Sequence, residues 1–401
     1  MKIKNKKEQR KYQLAYFVTH PIQYQAPLLK ALSARKEIEL KVFFIMDFSL
    51  AIHVLKDFPD GTKWDTPLLS GYEYTFLPKI FKSNDSGFFK PFVYGIRKAL
   101  KERHWDAVWV HGYNHYSLII VMILSYIFRI PIFYRSESNL KFTPSHTLKN
   151  IFIRSLIKLS TGLLFIGNDN KEYYKFFGAP ENKLYFTPYA VDNEFFNNQS
   201  DQIQRKTPDL RKLLMINDDT IVVLFSGKLI KRKNPALLLE AFYNVIKNDL
   251  DRPVYLIFVG HGVEYETLQK RIKQLKLEAK VKLAGFKNQG EIRQYYSMAD
   301  LFVLPSNIEA FGLVINEAMN ASTAIISSDK VGATSDLVFD GSNGFVFQSD
   351  SLESLTDALN KALSSKSKLR KMCNQSLIII NRWNYEEDVK GIMSALKSIN
   401  N

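Results

Sequence analysis

The sequence predicts an α/β protein made of two halves, in each of which strands alternate with helices. Short apolar runs without polar alternation, such as residues 301–304 (LFVL), are typical of parallel strands that are covered on both faces. Segments with helical spacing separate these runs, which is the pattern of βαβ units with right-handed crossovers. A chain of 401 residues also suits two domains of roughly 100 to 200 residues each.

In the first half, the pattern predicts a βαβ unit, then a region that is hard to interpret, then a second run of strands and helices. Residues 46–100 are rich in Phe, Tyr, Pro and Gly and are interpreted as a long loop region with short elements. The polar segment 188–207 is predicted to be a linker between the halves. The predicted strands are 14–19, 40–45, 107–111, 131–134, 163–166 and 184–187, and the predicted helices are 27–34, 117–128, 148–159 and 170–177.

The second half repeats this architecture around the strand 301–304. A final amphipathic helix is predicted at 385–399. The other predicted strands are 221–225, 254–259, 281–284 and 324–327, and the other predicted helices are 234–246, 263–275, 289–298, 313–319, 334–339, 352–363 and 369–380.

The charge of the chain is strongly positive and unevenly distributed. Of its 55 Lys and Arg and 40 Asp and Glu, residues 1–195 hold 28 and 17 (+11) and the remainder hold 27 and 23 (+4), which gives +15 in total. This surplus favours an anionic partner, either nucleic acid, an anionic bilayer or a phosphate-bearing substrate. No nucleic-acid-binding module is recognisable. The single cysteine, Cys373, excludes an internal disulfide and is consistent with a reducing cytoplasm.

The most hydrophobic stretch is SLIIVMILSYIF, residues 117–128. This run is too short to cross a bilayer, which takes ~20 residues. We therefore predict a buried helix, with contact to a membrane surface as the alternative. No export signal is visible, because the apolar run at 14–18 is too short for a signal core.

The segment 301–317, LFVLPSNIEAFGLVINE, combines a buried strand, a sharp loop and a helix start, and it carries two carboxylates. Glu309 is predicted on the loop and Glu317 in the first turns of the helix. Carboxylates would accept hydrogen bonds from sugar and ribose hydroxyls, while the backbone amides of Phe311, Gly312 and Leu313 would face a phosphate. The alternative is a solvated loop glutamate and a helix-start glutamate that the helix dipole favours.

A second motif, FSGKLIKRKNP at residues 225–235, follows a predicted strand and precedes a helix. Gly227 permits a tight turn, and Lys228 and Lys233 could converge on a diphosphate leaving group and stabilise its charge. The alternative is a solvated basic loop. A glycine turn with Gly260 closes the next strand, but such turns are common in α/β proteins whether or not they bind a ligand.

Together these motifs resemble the C-terminal donor domain of family-4 retaining glycosyltransferases, within glycosyl transferases group 1 and the GT-B fold. The resemblance covers about residues 220–348, where six motifs occur in the family's order: SGKLIKRKNP, YLIFVGHG, AGFKNQGEI, ADLFVLPSNIEAFGLVINEAM, SDKVGATSDLV and DGSNGFVF. It implies that Glu309 contacts the transferred sugar, that Glu317 contacts the ribose, and that Lys228 and Lys233 hold the diphosphate. Gly227, Gly260, Phe286, Phe311, Gly312 and Leu313 are the further donor-side residues that it implies.

The resemblance also implies two Rossmann-like domains that face a central cleft. Residues 1–195, with the C-terminal helix 382–401 crossing back to them, would bind the acceptor, and residues 196–381 would bind the donor. The chain departs from the family at Lys228, where arginine is usual, and at Ser322 and Ala324, where Gly and Pro are common. Lysine replaces the bidentate guanidinium fork with a point charge.

The acceptor side is less similar to the family. The loop THPIQYQAP at residues 19–27 lacks the family's glycine-rich turn and places His20, Gln23 and Tyr24 in the crevice. Where many members carry a histidine near the reacting sugar, this chain has Arg135 and Glu137, and Glu137 is one candidate for that role. The other is His111 at the end of the preceding strand. For both, an ordinary structural role is an equal alternative.

The function implied is transfer of a sugar from a UDP- or GDP-sugar to a glycan or lipid-linked glycan, as in cell-surface polysaccharide or lipopolysaccharide biosynthesis. Neither a metal nor a cofactor is expected. The enzyme would be cytoplasmic, in peripheral contact with the inner face of an anionic membrane, and would not bind nucleic acid. Two other functions stay open: a GT-B sugar-nucleotide epimerase and a non-catalytic basic binding protein. The sequence does not predict the sugar, the base, the acceptor or the oligomeric state.

Overall fold

The computed structural model describes residues 10–47, 67–80, 87–142, 147–197, 210–247 and 253–399. These residues form two parallel β-sheets with helices on both faces of each sheet. Within the described ranges, no helix is both long and apolar enough to span a bilayer. The two sheets confirm the α/β arrangement that the alternating pattern predicts.

The first sheet has seven strands in the order β3-β2-β1-β4-β5-β6-β7, all paired in parallel. The strands are β1 (Tyr12–Val18), β2 (Ile38–Phe44), β3 (Glu73–Phe76), β4 (Ala107–His111), β5 (Ile132–Arg135), β6 (Gly162–Phe165) and β7 (Leu184–Phe186). The helices of this half are α1 (Ala26–Ser33), α2 (Ile96–Leu100), α3 (Tyr116–Ile127), α4 (Thr147–Leu159), α5 (Asn168–Phe176) and α6 (Asn193–Phe196). Apolar side chains of α2 to α5 cover one face of the sheet, and α1 covers the other.

The second sheet has six parallel strands in the order β10-β9-β8-β11-β12-β13. They are β8 (Ile221–Ser226), β9 (Val254–Val259), β10 (Val281–Gly285), β11 (Leu301–Leu304), β12 (Ala324–Ser328) and β13 (Gly344–Phe347). The helices are α7 (Pro235–Lys247), α8 (Tyr265–Gln274), α9 (Gln289–Met298), α10 (Val314–Asn320), α11 (Thr334–Leu337), α12 (Leu352–Leu363), α13 (Lys366–Ile380) and α14 (Tyr385–Ser398). Its central strands β8 and β11 are fully buried, which explains their uninterrupted apolar sequences.

The last helix, α14, packs against the first sheet and not the second. Its buried residues Val389, Ile392 and Leu396 share a core with α1 and β1. Asn384 caps its start by accepting a hydrogen bond from the Glu387 amide at 2.9 Å. The predicted return of the C-terminal helix to the first half is therefore confirmed.

A buried ion pair holds α14 in place. The Arg135 guanidinium, at the end of β5, donates to Asp388 Oδ2 at 3.0 Å and to the Thr187 carbonyl at 3.0 Å. Both charged side chains are almost fully buried. Arg135 therefore anchors the closing helix. The prediction that Arg135 contacts the acceptor is wrong, because its guanidinium is buried and already paired with Asp388.

The predicted linker is described only in part, because residues 198–207 lie outside the described part of the chain. Residues 188–192 are irregular, as predicted, but residues 188–191 are buried and not solvated. Tyr189, Val191 and Phe196 are buried in the core of the second half, and α6 forms within this segment.

Three other elements are absent from the predicted strands and helices. Strand β13 was not predicted, and the region 46–100 contributes β3 and α2. Helix α3 forms as predicted, but its outer face is exposed.

We expect the Arg135–Asp388 pair to be essential for stability. Replacing Asp388 with Asn removes one charge and leaves Arg135 charged and buried, which should lower the free energy of unfolding by about 3 to 5 kcal/mol. The control is Glu387→Ala on the same helix, which breaks a solvent-exposed pair with Lys390 and should change it by about 0.5 kcal/mol at most. Urea denaturation measures both, and equal effects would contradict the anchoring role.

Candidate functional site

The carboxyl ends of β8 and β9 are brought together by two glycines. Gly227 and Gly260 both have positive φ, at 150° and 141°. A Cβ on Gly260 would lie 1.8 Å from the Gly227 carbonyl oxygen, so only glycine fits there. The Gly260 amide donates to the Gly285 carbonyl at 2.8 Å, which ties the end of β10 to the same edge. This close backbone approach fixes the loop that carries Lys228 and Lys233.

Lys233 and Glu309 form an ion pair with each other at this edge. Lys233 ends a 3-10 turn, Lys231–Lys233, and its side chain is buried while those of its neighbours Lys231 and Arg232 are exposed. Its Cε lies 4.0 Å from the position that a Cβ on Gly227 would occupy. Glu309 is held by its backbone, whose carbonyl accepts from the Gly332 amide at 3.1 Å. The two motifs singled out in the sequence therefore meet in space.

Glu317 lies in α10 beside this pair. The Tyr296 hydroxyl donates to Glu317 Oε2 at 2.6 Å. Burial raises the pKa of Glu317 to about 7, although the hydrogen bond from Tyr296 and the positive charge of Lys233 act to lower it. The carboxyl group therefore titrates near neutral pH, unlike an ordinary glutamate.

The other predicted donor-side residues differ in how exposed they are to solvent. Lys228 is half-buried directly after Gly227, and Phe286 is half-buried after β10. Gly312 has a φ of 104° and precedes α10. The Phe311 ring is buried against Tyr189, with ring centroids 5.4 Å apart, so this side chain is a packing residue.

A cavity of 710 Å³ opens between the two halves. Its walls include His20, His111 and Glu137 from the first half and Arg232 and Ala310 from the second. The Asn139 amide donates to the Ala310 carbonyl at 3.1 Å, so the two walls are in direct contact. Three of the predicted acceptor-side residues thus share one cavity, next to the loop that holds Glu309.

Glu137 is held as a carboxylate in this cavity by hydroxyl groups. Tyr24 donates to its Oε1 at 2.7 Å, and the Tyr189 hydroxyl donates to the same oxygen. Burial would raise the pKa of Glu137, but the neighbouring His111 and the hydrogen bonds from Tyr189 and Tyr24 outweigh it and lower that pKa to about 2. The group is therefore an anion and a hydrogen-bond acceptor throughout the physiological range.

Burial favours the neutral form of both histidines of the cavity. Burial lowers the pKa of His111 despite the adjacent carboxylate of Glu137, whose Oε1 is 3.8 Å from His111 Nε2. Burial and the proximity of His111 lower the pKa of His20 to about 4. A neutral imidazole can accept a proton or a hydrogen bond, which a charged one cannot.

A second cavity, of 360 Å³, lies on the other side of Tyr24. Gln23 lines it together with Leu313 and Glu317. The structure therefore places Gln23 beside the donor-side glutamate, away from the cavity of His20. Gln23 was predicted on the acceptor side because it shares the loop 19–27 with His20.

Tyr189 and Tyr296 are functional candidates that the sequence analysis missed. Tyr189 lay in the supposed linker, although the alternation of Tyr189 and Val191 after a strand was a signal of burial. Tyr296 reads as a core residue of α9, and no sequence signal distinguishes its hydroxyl. Among the described residues, no group of three His, Cys, Asp or Glu side chains could hold a metal ion.

The chain is similar to known glycosyltransferases. The profile of the family described as Glycosyl transferases group 1 matches residues 206–399. The lipopolysaccharide 1,2-N-acetylglucosaminetransferase of Salmonella typhimurium is 28% identical over 199 residues, which are 47% of this chain and 51% of that protein. The N-acetylgalactosamine-N,N'-diacetylbacillosaminyl-diphospho-undecaprenol 4-alpha-N-acetylgalactosaminyltransferase of Campylobacter jejuni is 34% identical over 149 residues, 37% of this chain and 39% of that protein. The chain thus matches about half the length of these relatives or less.

The fold extends the similarity to the whole chain. The crystal structure of Anabaena Alr3699/HepE in complex with UDP superposes with a TM-score of 0.73 at 19% identity, covering 97% of this chain and 100% of that one. At this identity the likeness establishes the fold alone. The chain therefore has the GT-B fold, and its residues 206–399 are similar to the glycosyl transferases group 1 family.

Proposed function

We propose that this protein is a retaining glycosyltransferase of family 4 that transfers a sugar from a nucleoside diphosphate sugar to a glycan. The observation that carries the proposal is the cluster of Lys233, Glu309 and Glu317 at the carboxyl edge of the second sheet. The chain neighbours of Lys233 and Glu309, Arg232 and Ala310, line a cavity whose opposite wall holds the carboxylate of Glu137. A cation beside two carboxylates suits a ligand that has both a diphosphate and hydroxyl groups.

The proposed chemistry depends on stabilising the leaving group. A donor diphosphate would compete with Glu309 for the Lys233 ammonium, and Lys228 on the same loop would supply a second positive charge. Glu309, once released, could accept hydrogen bonds from hydroxyls of the transferred sugar. The acceptor hydroxyl would attack on the face from which the diphosphate leaves, and a phosphate oxygen would take its proton. No protein nucleophile is needed, and the barrier falls through positioning and charge stabilisation.

On the acceptor side, we propose that Glu137 binds a hydroxyl of the acceptor. It is an anion with one oxygen already engaged by Tyr24 and Tyr189, so its position is fixed before the acceptor arrives. Neutral His111 and His20 on the same wall supply further hydrogen-bonding groups. A preorganised wall of this kind orients the acceptor at no further cost in side-chain ordering.

The biological setting is inferred from the relatives. The names of the two relatives described above concern lipopolysaccharide and an undecaprenol-linked glycan. We therefore propose cell-surface polysaccharide synthesis at the cytoplasmic face of a membrane, with UDP- or GDP-sugar as donor and no metal. We also propose a donor domain at residues 196–381 and an acceptor domain at 1–195 that includes the C-terminal helix from residue 382.

A nucleotide-binding experiment tests the donor site. A ligand at 100 times its dissociation constant adds ~2.7 kcal/mol of stability, so a thermal-shift screen should detect UDP, GDP or their sugars. Lys233→Ala should weaken the binding of the nucleotide found by roughly tenfold or more, because a charge-assisted hydrogen bond is lost. Lys231→Ala, an exposed lysine on the same turn, is the control. Equal affinities of the two variants would contradict the role of Lys233.

An activity experiment tests Glu309. Glu309→Gln should lower nucleoside diphosphate release from the donor by roughly 100-fold, because a misplaced sugar loses about that factor. Glu353→Gln, an exposed glutamate in α12, should have no effect. Unchanged turnover in Glu309→Gln would remove this residue from the site. Product formed from the donor alone, with the sugar epimerised and no release, would identify an epimerase instead.

The pH dependence of donor binding tests Glu317. Its pKa of about 7 lies above the ordinary value of 4.5, and a ribose hydroxyl would donate a stronger, charge-assisted hydrogen bond to the carboxylate than to the neutral acid. Affinity for a nucleotide sugar should therefore rise about tenfold as the pH increases from about 6 to about 8 and the carboxyl group ionises. Isothermal titration with Glu317→Gln should show no such rise. A rise that persists in this variant would assign the titration to another group.

A further inference from the structure

Helix α3 has an exposed face without any charged residue. All twelve residues of Tyr116–Ile127 are uncharged, and Leu118, Val121 and Met122 pack on the first sheet. The opposite face leaves four large apolar side chains in solvent: Ile120, Ile123, Tyr126 and Ile127. A surface helix of a soluble protein ordinarily carries charges on its outer face. This face is therefore suited to an apolar environment.

The neighbouring helix α4 extends this surface and adds positive charge. Leu148 and Ile151 are exposed, Leu148 to 84%. Arg154 and Lys158 are also exposed on this helix. Neither α3 nor α4 contains an acidic residue. The pair of helices thus combines apolar and basic side chains with no negative charge to repel an anion.

Aromatic side chains from residues 87–94 continue the same surface. Phe89 and Phe92 are exposed, and their rings lie 6.2 Å and 5.8 Å from the ring of Tyr116 at the start of α3. Phe88 and Tyr94 are exposed as well. We call the exposed side chains of α3, α4 and residues 87–94 the outer surface. Apolar patches of this extent on a soluble protein mark a site of interaction.

The outer surface lies between two openings in the protein. At one end, Asn114 and Lys149 line the cavity of 710 Å³ that contains Glu137. At the other end, a groove of 640 Å³ is lined by Tyr126 and Ile127 together with three basic residues, Arg129, Lys158 and Lys183. A flat partner that contacts the outer surface would therefore reach both the mouth of the cavity and the basic groove. The groove is large enough for a phosphate headgroup.

We propose that the outer surface docks on an anionic lipid bilayer and presents the acceptor cavity to it. Helix α3 would lie in the membrane interface with Ile123 and Ile127 among the acyl chains, while Arg154 and Lys158 contact lipid phosphates. Because α3 is only about 18 Å long, it lies on the bilayer and does not cross it. Entry of a lipid-linked acceptor from this side rests on the proposed function, whereas the docking itself does not.

Vesicle flotation with the full-length protein tests the proposal without any nucleotide sugar. Wild-type protein should float with vesicles of phosphatidylethanolamine and phosphatidylglycerol, and binding to phosphatidylcholine vesicles or at high salt should be much weaker. Ile127→Asp should reduce binding roughly tenfold, and Arg154→Gln with Lys158→Gln roughly 30-fold. The matched control is Ile378→Asp in α13, since Ile378 and Ile127 are exposed to 63% and 62%. It should bind like wild type.

Three results would overturn the proposal. Ile127→Asp could float as wild type does, or vesicles could capture Ile127→Asp and Ile378→Asp equally poorly. Sedimentation could also show a dimer that Ile127→Asp dissociates, with no vesicle binding, which would make the outer surface an interface between two copies. In each case, nucleotide-induced thermal stabilisation measured on the same variants reports separately on the donor site. If nucleotides do not stabilise the wild-type protein, the proposed function is contradicted, but the docking result is not affected.

Discussion

Parallel pairing within each sheet is the constraint on which the site depends. Because all paired strands in a sheet run the same way, their carboxyl ends and the loops that follow share one edge. The loops after β1 and β5 supply His20 and Glu137, the end of β4 supplies His111, and the loops after β8 and β11 supply Lys233 and Glu309. The ion pair of Arg135 with Asp388 ties the closing helix to the first sheet. The cavity between the halves is therefore a consequence of topology, and its chemistry comes from short loops on rigid strands.

The carboxyl groups of the site differ because their environments differ. His111 and two tyrosine hydroxyls keep the pKa of Glu137 near 2, whereas burial beside a single tyrosine raises the pKa of Glu317 to about 7. Glu309 is instead matched with the ammonium of Lys233. Three identical side chains thus offer a fixed anion, a group that titrates near neutrality and a paired charge. Environments that separate pKa values in this way are typical of sites where acidic groups have distinct roles.

Most of the fold could be predicted from the sequence, and the errors have physical causes. Strands β4, β9 and β11 were predicted with correct bounds because buried parallel strands are apolar without interruption. Lys233, Glu309 and Glu317 could be predicted to lie at one edge of the sheet because glycine turns and charged residues follow such strands. Arg135 was misassigned because its partner Asp388 is far away along the chain, and no local pattern encodes that pairing. Tyr189 was missed because polar neighbours obscured its burial.

Helix α3 shows why hydrophobicity alone does not determine where a segment lies. A run of apolar residues has no polar face, so periodicity cannot distinguish a helix buried on all sides from one that is apolar where it meets solvent. The structure resolves this because α2, α4 and α5 occupy the same face of the first sheet as α3, and within the described ranges the outer side chains of α3 remain exposed. Part of the positive surplus of the first half, which is +11 of +15, lies beside this helix on Arg154 and Lys158. Charge and apolar surface together favour an anionic interface, which neither feature specifies alone.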